Sequence, residues 1–252
     1  MSQKSTAKRI LYLVPAPMSR GPFGASELTR RQRLLNERAW GGFRFEVRDT
    51  DEGPFTIESI VDEQLSVPGT LRAAVQAEHN GFSAIVLGCF ADPGSDAARA
   101  LLRIPVVGPA EVSLHLACQL GNRYAILTTS EGVVPLIEKV VRHLRLEQRM
   151  AGIRTVGTTV LHVADDRKAM LNRLERAGRL ALDTDGADVL VLGCMSVSFL
   201  NVAPDLSRRL GVPVVCPLAA AVEFAQSLVR CGLSHSKKAF PVPAQSVSAA
   251  AG

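Results

Sequence analysis

Apolar positions along this chain fall into two alternating kinds of run. Short stretches of aliphatic and β-branched residues are followed by longer segments in which apolar side chains recur three and four residues apart. The short runs predict strands at Ile10–Val14, Arg44–Val47, Ala84–Leu87, Val106–Val107, Tyr124–Leu127, Ile153–Val156, Val189–Leu192 and Val214–Val215. The longer segments predict helices at Glu27–Ala39, Thr70–His79, Asp96–Leu102, Glu111–Leu120, Val134–Leu144, Arg167–Thr184 and Ala219–Val229. The stripe Val134, Ile137, Val141 and Leu144 shows the helical spacing. Strands that alternate with helices in this way build parallel sheets with crossover helices, so an α/β fold is expected.

Two of the predicted strands end alike. "AIVLGCF" closes on Cys89 and "VLVLGCM" on Cys194, and the segments downstream also match: "IPVVGPAEVSLHLACQLG" after the first, "VPVVCPLAAAVEFAQSLVRCG" after the second. Pro105 corresponds to Pro213, and Pro109 to Pro217. The chain therefore reads as two pseudo-symmetric lobes, each a mostly parallel sheet flanked by helices. The first lobe spans 1–116 and the second 117–216, with the boundary between Leu116 and Arg123. A C-terminal helix within about 217–240 is expected to pack back onto the first lobe, and 241–252, ending in "AQSVSAAAG", has no core-forming pattern and reads as a disordered tail. Ligands of open α/β sheets bind beyond the carboxyl ends of the strands, which places an active site in the cleft between the lobes with a cysteine on each side.

Composition narrows the chemistry. At 252 residues and 47% hydrophobic content the chain can bury a large core. No apolar run approaches the roughly 20 residues of a membrane span, and the stretch before Pro15 is shorter than the ~7–15 residues of the apolar core of a signal peptide, so a cytoplasmic protein without a membrane partner is expected. Five cysteines, an odd number, argue for free thiols rather than a disulfide framework. The net charge of +5 comes from arginines spread through helical stretches such as "RQRLLNER" and "RKAMLNRLERAGR". These read as solvated helix faces, and nucleic acid is not an expected partner. No CxxC or HxH cluster, no GxxxxGK[ST] loop and no GxGxxG turn is present, so neither a metal nor an organic cofactor is expected.

A thiolate is a usable base near neutral pH, and a helix N-terminus lowers its pKa. A thiolate on one side of a carbon acid and a thiol on the other would make a two-base racemase, with N–H groups after Gly88 and Gly193 holding the developing enolate oxygen. Cys118, Cys216 and Cys231 lie within or at the ends of apolar segments and read as packing residues, and the five dispersed histidines as structural or surface.

At these residues the chain resembles the aspartate/glutamate racemase superfamily, and within it the hydantoin and allantoin racemase branch. "GCFADPGSDAAR" is similar to the branch's first cysteine motif, "VLGCMSVSF" occupies the place of the second, "GPFTIESI" resembles its GP-x-[ST]-IE segment, and "GLSHSKKAFPVP" its C-terminal ending. The resemblance implies a cofactor-independent racemase or epimerase acting at the carbon next to a carbonyl in a cyclic ureide, a 5-substituted hydantoin or allantoin. It implies that Cys89 and Cys194 are the acid/base pair and that Phe90 and Met195 supply backbone N–H groups. Thr128 and Thr129 would line the substrate site, with Thr56 as a further contact. It also implies a small-molecule substrate and a homo-oligomer. Where relatives carry Asn-Pro-Asn after the first strand, this chain reads "VPAPMS", so the usual donors are missing or are supplied by Ser19 or Arg20. "MSVSF" likewise replaces a Gly-rich continuation after the second cysteine.

Four other readings are weighed on the sequence. Arylmalonate decarboxylases of the superfamily keep one of the two cysteines, whereas this chain has both. Maleate isomerases use both but need anchors for two carboxylates. An isomerase with an altered substrate in a biosynthetic pathway, or a catalytically silent two-lobed ligand-binding protein, would also fit a reshaped first loop.

Overall fold

Residues buried on both faces of a parallel sheet read as unbroken apolar runs, which is why the strands were legible. The structure, a computed structural model, describes residues 7–243, and the expected tail lies outside them from residue 244 onward. The first sheet holds β1 (Lys8–Val14), β2 (Phe43–Asp49), β3 (Ala84–Leu87) and β4 (Val106–Val107) in the order β2-β1-β3-β4. The second holds β5 (Tyr124–Thr128), β6 (Met150–Thr155), β7 (Val189–Leu192) and β8 (Val214–Val215) in the order β6-β5-β7-β8. Every pairing is parallel, and the strand orders of the two sheets are the same, so the repeat seen in the sequence is a repeat of topology.

Helices cover the sheets: α1 (Gly24–Asn36), α2 (Ile60–His79), α3 (Ser95–Leu101) and α4 (Pro109–Leu120) come first, then α5 (Val134–His143), α6 (Arg167–Asp183), α7 (Met195–Ser198), α8 (Ala203–Leu210) and α9 (Pro217–Cys231). The last helix of each half crosses to the other sheet. Ala110, Leu114 and Ala117 of α4 pack in one core with Tyr124, Ile126, Val189 and Val191 of the second sheet. Leu218, Ala221, Val222 and Ala225 of α9 pack with Ile10, Tyr12 and Val86 of the first. The division expected at 116/117 thus falls inside α4, a continuous helix that lies on the second sheet. The two sheets are joined by reciprocal burial of apolar helix faces.

Some elements differ from their predicted bounds. Helix α2 begins ten residues before the expected Thr70, because Ser59 caps it by accepting the Asp62 N–H and the chain runs through Pro68 without ending. Proline removes one backbone donor. The buried hydroxyls of Ser66 and Thr70 bond the carbonyls of Glu63 and Ser66 in the same turns. Helix α1 is shifted three residues toward the N-terminus at both ends, and α7 and α8 were not predicted. Among the described residues no helix is long and apolar enough to cross a membrane.

Candidate active site

Each cysteine is positioned by the glycine before it. Gly88 N–H donates to the Leu13 carbonyl at 2.7 Å, and Gly193 N–H to the Leu127 carbonyl at 2.7 Å, so the ends of β3 and β7 lie tight against the central strands β1 and β5. A Cβ at Gly88 would sit 2.9 Å from that Leu13 oxygen, and one at Gly193 2.7 Å from Cγ2 of Ile126. Neither site tolerates a side chain, which explains why Gly-Cys recurs at both strand ends. The residue after each cysteine then reaches into the opposite half. Phe90 is buried among Tyr124, Ile126 and Val191, whereas Met195 is buried among Tyr12, Val14 and Val86. These crossed side chains fix the two cysteine loops relative to one another.

Both cysteines line one cavity of about 80 Å³ with walls from both halves. That is small beside the roughly 300–1,000 Å³ of pockets for drug-sized ligands. Phe90, Met195, Thr129 and Thr56 line it too. Val14, Pro15, Ala16 and Met18 occupy the wall after β1, so the segment that carries asparagines in relatives here offers an apolar surface. Leu136, Ile137 and Val133 face it from the second half.

Two predicted contacts are not on the wall. Thr128 is buried beneath it, its hydroxyl donating to the Gly193 carbonyl at 3.2 Å, so it ties β5 to the second cysteine loop. Ser19 lies outside the lining, its N–H donating to Asp49 Oδ2 at 2.7 Å. Arg20 is likewise turned outward to Asp51. None of the three replaces the missing asparagine donors.

The residue that sequence reasoning missed is Arg31. Read as part of a solvated helix face, it is 2% exposed and lines the cavity. Its Nε donates to Glu27 Oε1 at 2.8 Å and its Nη2 to Ser196 Oγ at 3.0 Å, and the guanidinium lies 4.7 Å from the Phe199 ring centroid. The signal was its spacing: Leu28, Arg31 and Leu35 stand three and four apart, on the stripe that α1 turns inward.

Electrostatics distinguish the two thiols. Burial pushes Cys89 up to about 12 against the Ala91 N–H that bonds its sulfur at 3.5 Å, with Asp92, Cys194 and Glu63 adding to the rise. Burial also raises Cys194, but the N–H groups of Val197 and Ser196 and the charge of Arg31 oppose it. Only Cys194 stands at a helix start, that of α7; Cys89 is followed by a turn, α3 beginning at Ser95, and at both cysteines the lowering by nearby N–H groups is outweighed by desolvation. Asp92, at the turn after Cys89, accepts the N–H groups of Ala110 and Glu111 and joins that loop to the start of α4. Burial raises its carboxyl to about 7 against those bonds. The C-terminal "GLSHSKK" motif proves structural: Lys237 Nζ donates to the Arg99, Ala100 and Leu102 carbonyls at the end of α3, and His235 Nε2 accepts the Val106 N–H. Among the described residues no group of three or more His, Cys, Asp or Glu could hold a metal ion.

Fold and cavity define a class: two parallel α/β halves closed over one small cavity, with a strand-end cysteine from each. The profile of the Asp/Glu/Hydantoin racemase family matches residues 25–225, and the chain belongs to that family. It is 36% identical over 185 residues to a hydantoin racemase of Pseudomonas sp. (strain NS671), covering 73% of this chain and 74% of that one. The fold is shared with allantoin racemase from Pseudomonas fluorescens, at a TM-score of 0.84 and 30% identity over 94% of this chain and 97% of the other. Allantoin racemase from Klebsiella pneumoniae gives a TM-score of 0.84 at 28% identity, covering 94% of each chain. The protein is an isomerase, a racemase of this superfamily.

Proposed function

We propose that the protein is a cofactor-independent racemase or epimerase that uses Cys89 and Cys194 as its two bases on a carbon acid of the cyclic ureide class, a 5-substituted hydantoin or an allantoin-like compound. The observation that carries this reading is that the two cysteines, at equivalent strand ends of a repeated fold, line the same small cavity. The similarity to hydantoin and allantoin racemases supports the substrate class.

One thiolate removes the proton from the carbon next to the carbonyl, leaving a neutral thiol and an enolate. The opposite thiol then delivers its proton to the other face and becomes the thiolate, so charge and protons balance without a further reactant. The N–H groups of Phe90 and Met195 supply hydrogen bonds to the enolate oxygen. Burial raises both thiols; the N–H groups of Val197 and Ser196 and the charge of Arg31 oppose the rise at Cys194, and the Ala91 N–H opposes it at Cys89. In the reverse direction the roles exchange.

The test is exchange of the carbon-bound hydrogen in deuterium oxide, followed separately for each enantiomer of a 5-substituted hydantoin. In Cys89→Ser and in Cys194→Ser exchange should be abolished for at least one enantiomer, a different one in each variant. Two-way exchange retained in both variants would refute the two-cysteine mechanism.

A further inference from the structure

Among the described residues that line the cavity, Arg31 is the only one with a formally charged side chain. Its charge is not matched inside the protein. Glu27 Oε1 accepts from Arg31 Nε at 2.8 Å, but the same carboxylate also takes Arg30 Nε at 2.6 Å and Arg30 Nη2 at 2.8 Å. One negative charge thus serves two guanidiniums. Burial alone would raise the Glu27 carboxyl, yet the hydrogen bonds from Arg30 and Arg31 hold it below the ordinary range, so this carboxylate is committed to both. Arg30 reaches solvent, with a side chain 36% exposed, whereas that of Arg31 is 2% exposed. Water screens the first charge far more than the second.

The donors of Arg31 point the same way. Nε and Nη2 are held by Glu27 and Ser196, and the ring of Phe199 backs the guanidinium. Nη1 has no hydrogen-bond partner among the described residues, and it is not among the side-chain atoms sealed from the surface without one. An immobilised guanidinium with one nitrogen unused, on the wall of a mostly apolar cavity, is a costly arrangement for stability alone. It is a suitable receptor for an anionic oxygen, because a charge-assisted hydrogen bond in a water-poor site is strong and the arginine is already oriented.

We infer that Arg31 is a specificity-determining residue that binds a carboxylate carried by the substrate, through Nη1, beside the cysteine pair. The inference rests on the racemase reading for the reaction and deepens it to a substrate class, a ureide with an anionic substituent. It also supplies a charged contact to a site whose wall after β1 is apolar.

Two hydantoins of nearly equal shape provide the test: 5-(carboxymethyl)hydantoin and its neutral amide, 5-(carbamoylmethyl)hydantoin. Binding is measured by calorimetry on the Cys89→Ser/Cys194→Ser double variant, and hydrogen exchange on the protein with both cysteines. The carboxylate should bind, and exchange with kcat/KM, at least tenfold better than the amide. Arg31→Gln should remove that preference, bringing the ratio of carboxylate to amide binding to about one, and Arg31→Lys should restore part of it. Equal binding of the two compounds, or an Arg31→Gln variant that keeps the preference, would overturn the inference. If Arg31→Gln loses secondary structure by circular dichroism, the Lys variant decides: a preference for the carboxylate at or above the unmutated level would overturn the role of the planar guanidinium. A binding preference without exchange of either hydantoin supports Arg31 while refuting the racemisation of ureides. Exchange without a preference does the reverse.

Discussion

Replacing Gly193 by alanine perturbs the second cysteine without touching it. The added Cβ would lie 2.7 Å from Ile126 Cγ2, 3.0 Å from Thr128 Cβ and 3.2 Å from the Leu127 carbonyl oxygen. Carbon atoms pack at roughly 3.5–4.0 Å, so something must give by about 1 Å. Ile126 is completely buried in a closed core, and Leu127 is bonded to Gly193 itself, so the strand end carrying Cys194 is the part that moves. Overpacking of this kind costs about 1–3 kcal/mol. In a chain of this size that is a fall in Tm of roughly 2–4 °C per kcal/mol. A displacement of about 1 Å at a reacting group can reduce the rate on the order of a hundredfold. Gly41, with no atom within 4 Å of its Cβ position, provides the control. Gly193→Ala should lower both Tm and hydrogen exchange, and Gly41→Ala neither. A Gly193→Ala protein with unchanged Tm and exchange would refute the claim that close strand packing positions the cysteine.

Two further outcomes are expected. Since burial raises both thiols, and Cys89 to about 12, kcat/KM for exchange should still be climbing with pH at pH 9, as the fraction of thiolate grows; a plateau reached below pH 7 would contradict this. Lys237→Ala removes the donor shared by three carbonyls at the end of α3 and should cost about 1–2 kcal/mol by urea unfolding, given its partial exposure, whereas an unchanged midpoint would show the C-terminal motif to be dispensable.

The strands and the cysteine repeat were legible because their causes are local. Ala84–Leu87 and Val189–Leu192 are apolar at every position, as burial on both faces of a sheet requires, and the Gly-Cys that ends each reflects how close the next strand lies. Where the reading failed, the deciding partner was distant in sequence. The helix expected from Thr70 starts at Ile60, because Ser59 caps it and the turns around Ser66 and Thr70 carry it through Pro68. Thr128 and Thr129 are adjacent, and strand alternation sends one under the cysteine loop and the other onto the wall. Ser19 lies in the right segment but faces the wrong direction, since its N–H is taken by Asp49 across the sheet.

Hydrophobic periodicity and the duplicated Gly-Cys by themselves determined an α/β chain with two matched halves and a cysteine at the end of a strand in each, because those features are written in side-chain alternation and spacing. Only the tertiary structure decided what surrounds the cysteines. The crossing of α4 and α9 between sheets, the burial of Arg31 against Ser196, and the desolvation that outweighs the nearby N–H groups at both thiols all arise between residues far apart in the chain. Charge and solvation act through space, so a one-dimensional pattern identifies the groups that can react but leaves their environment to the fold.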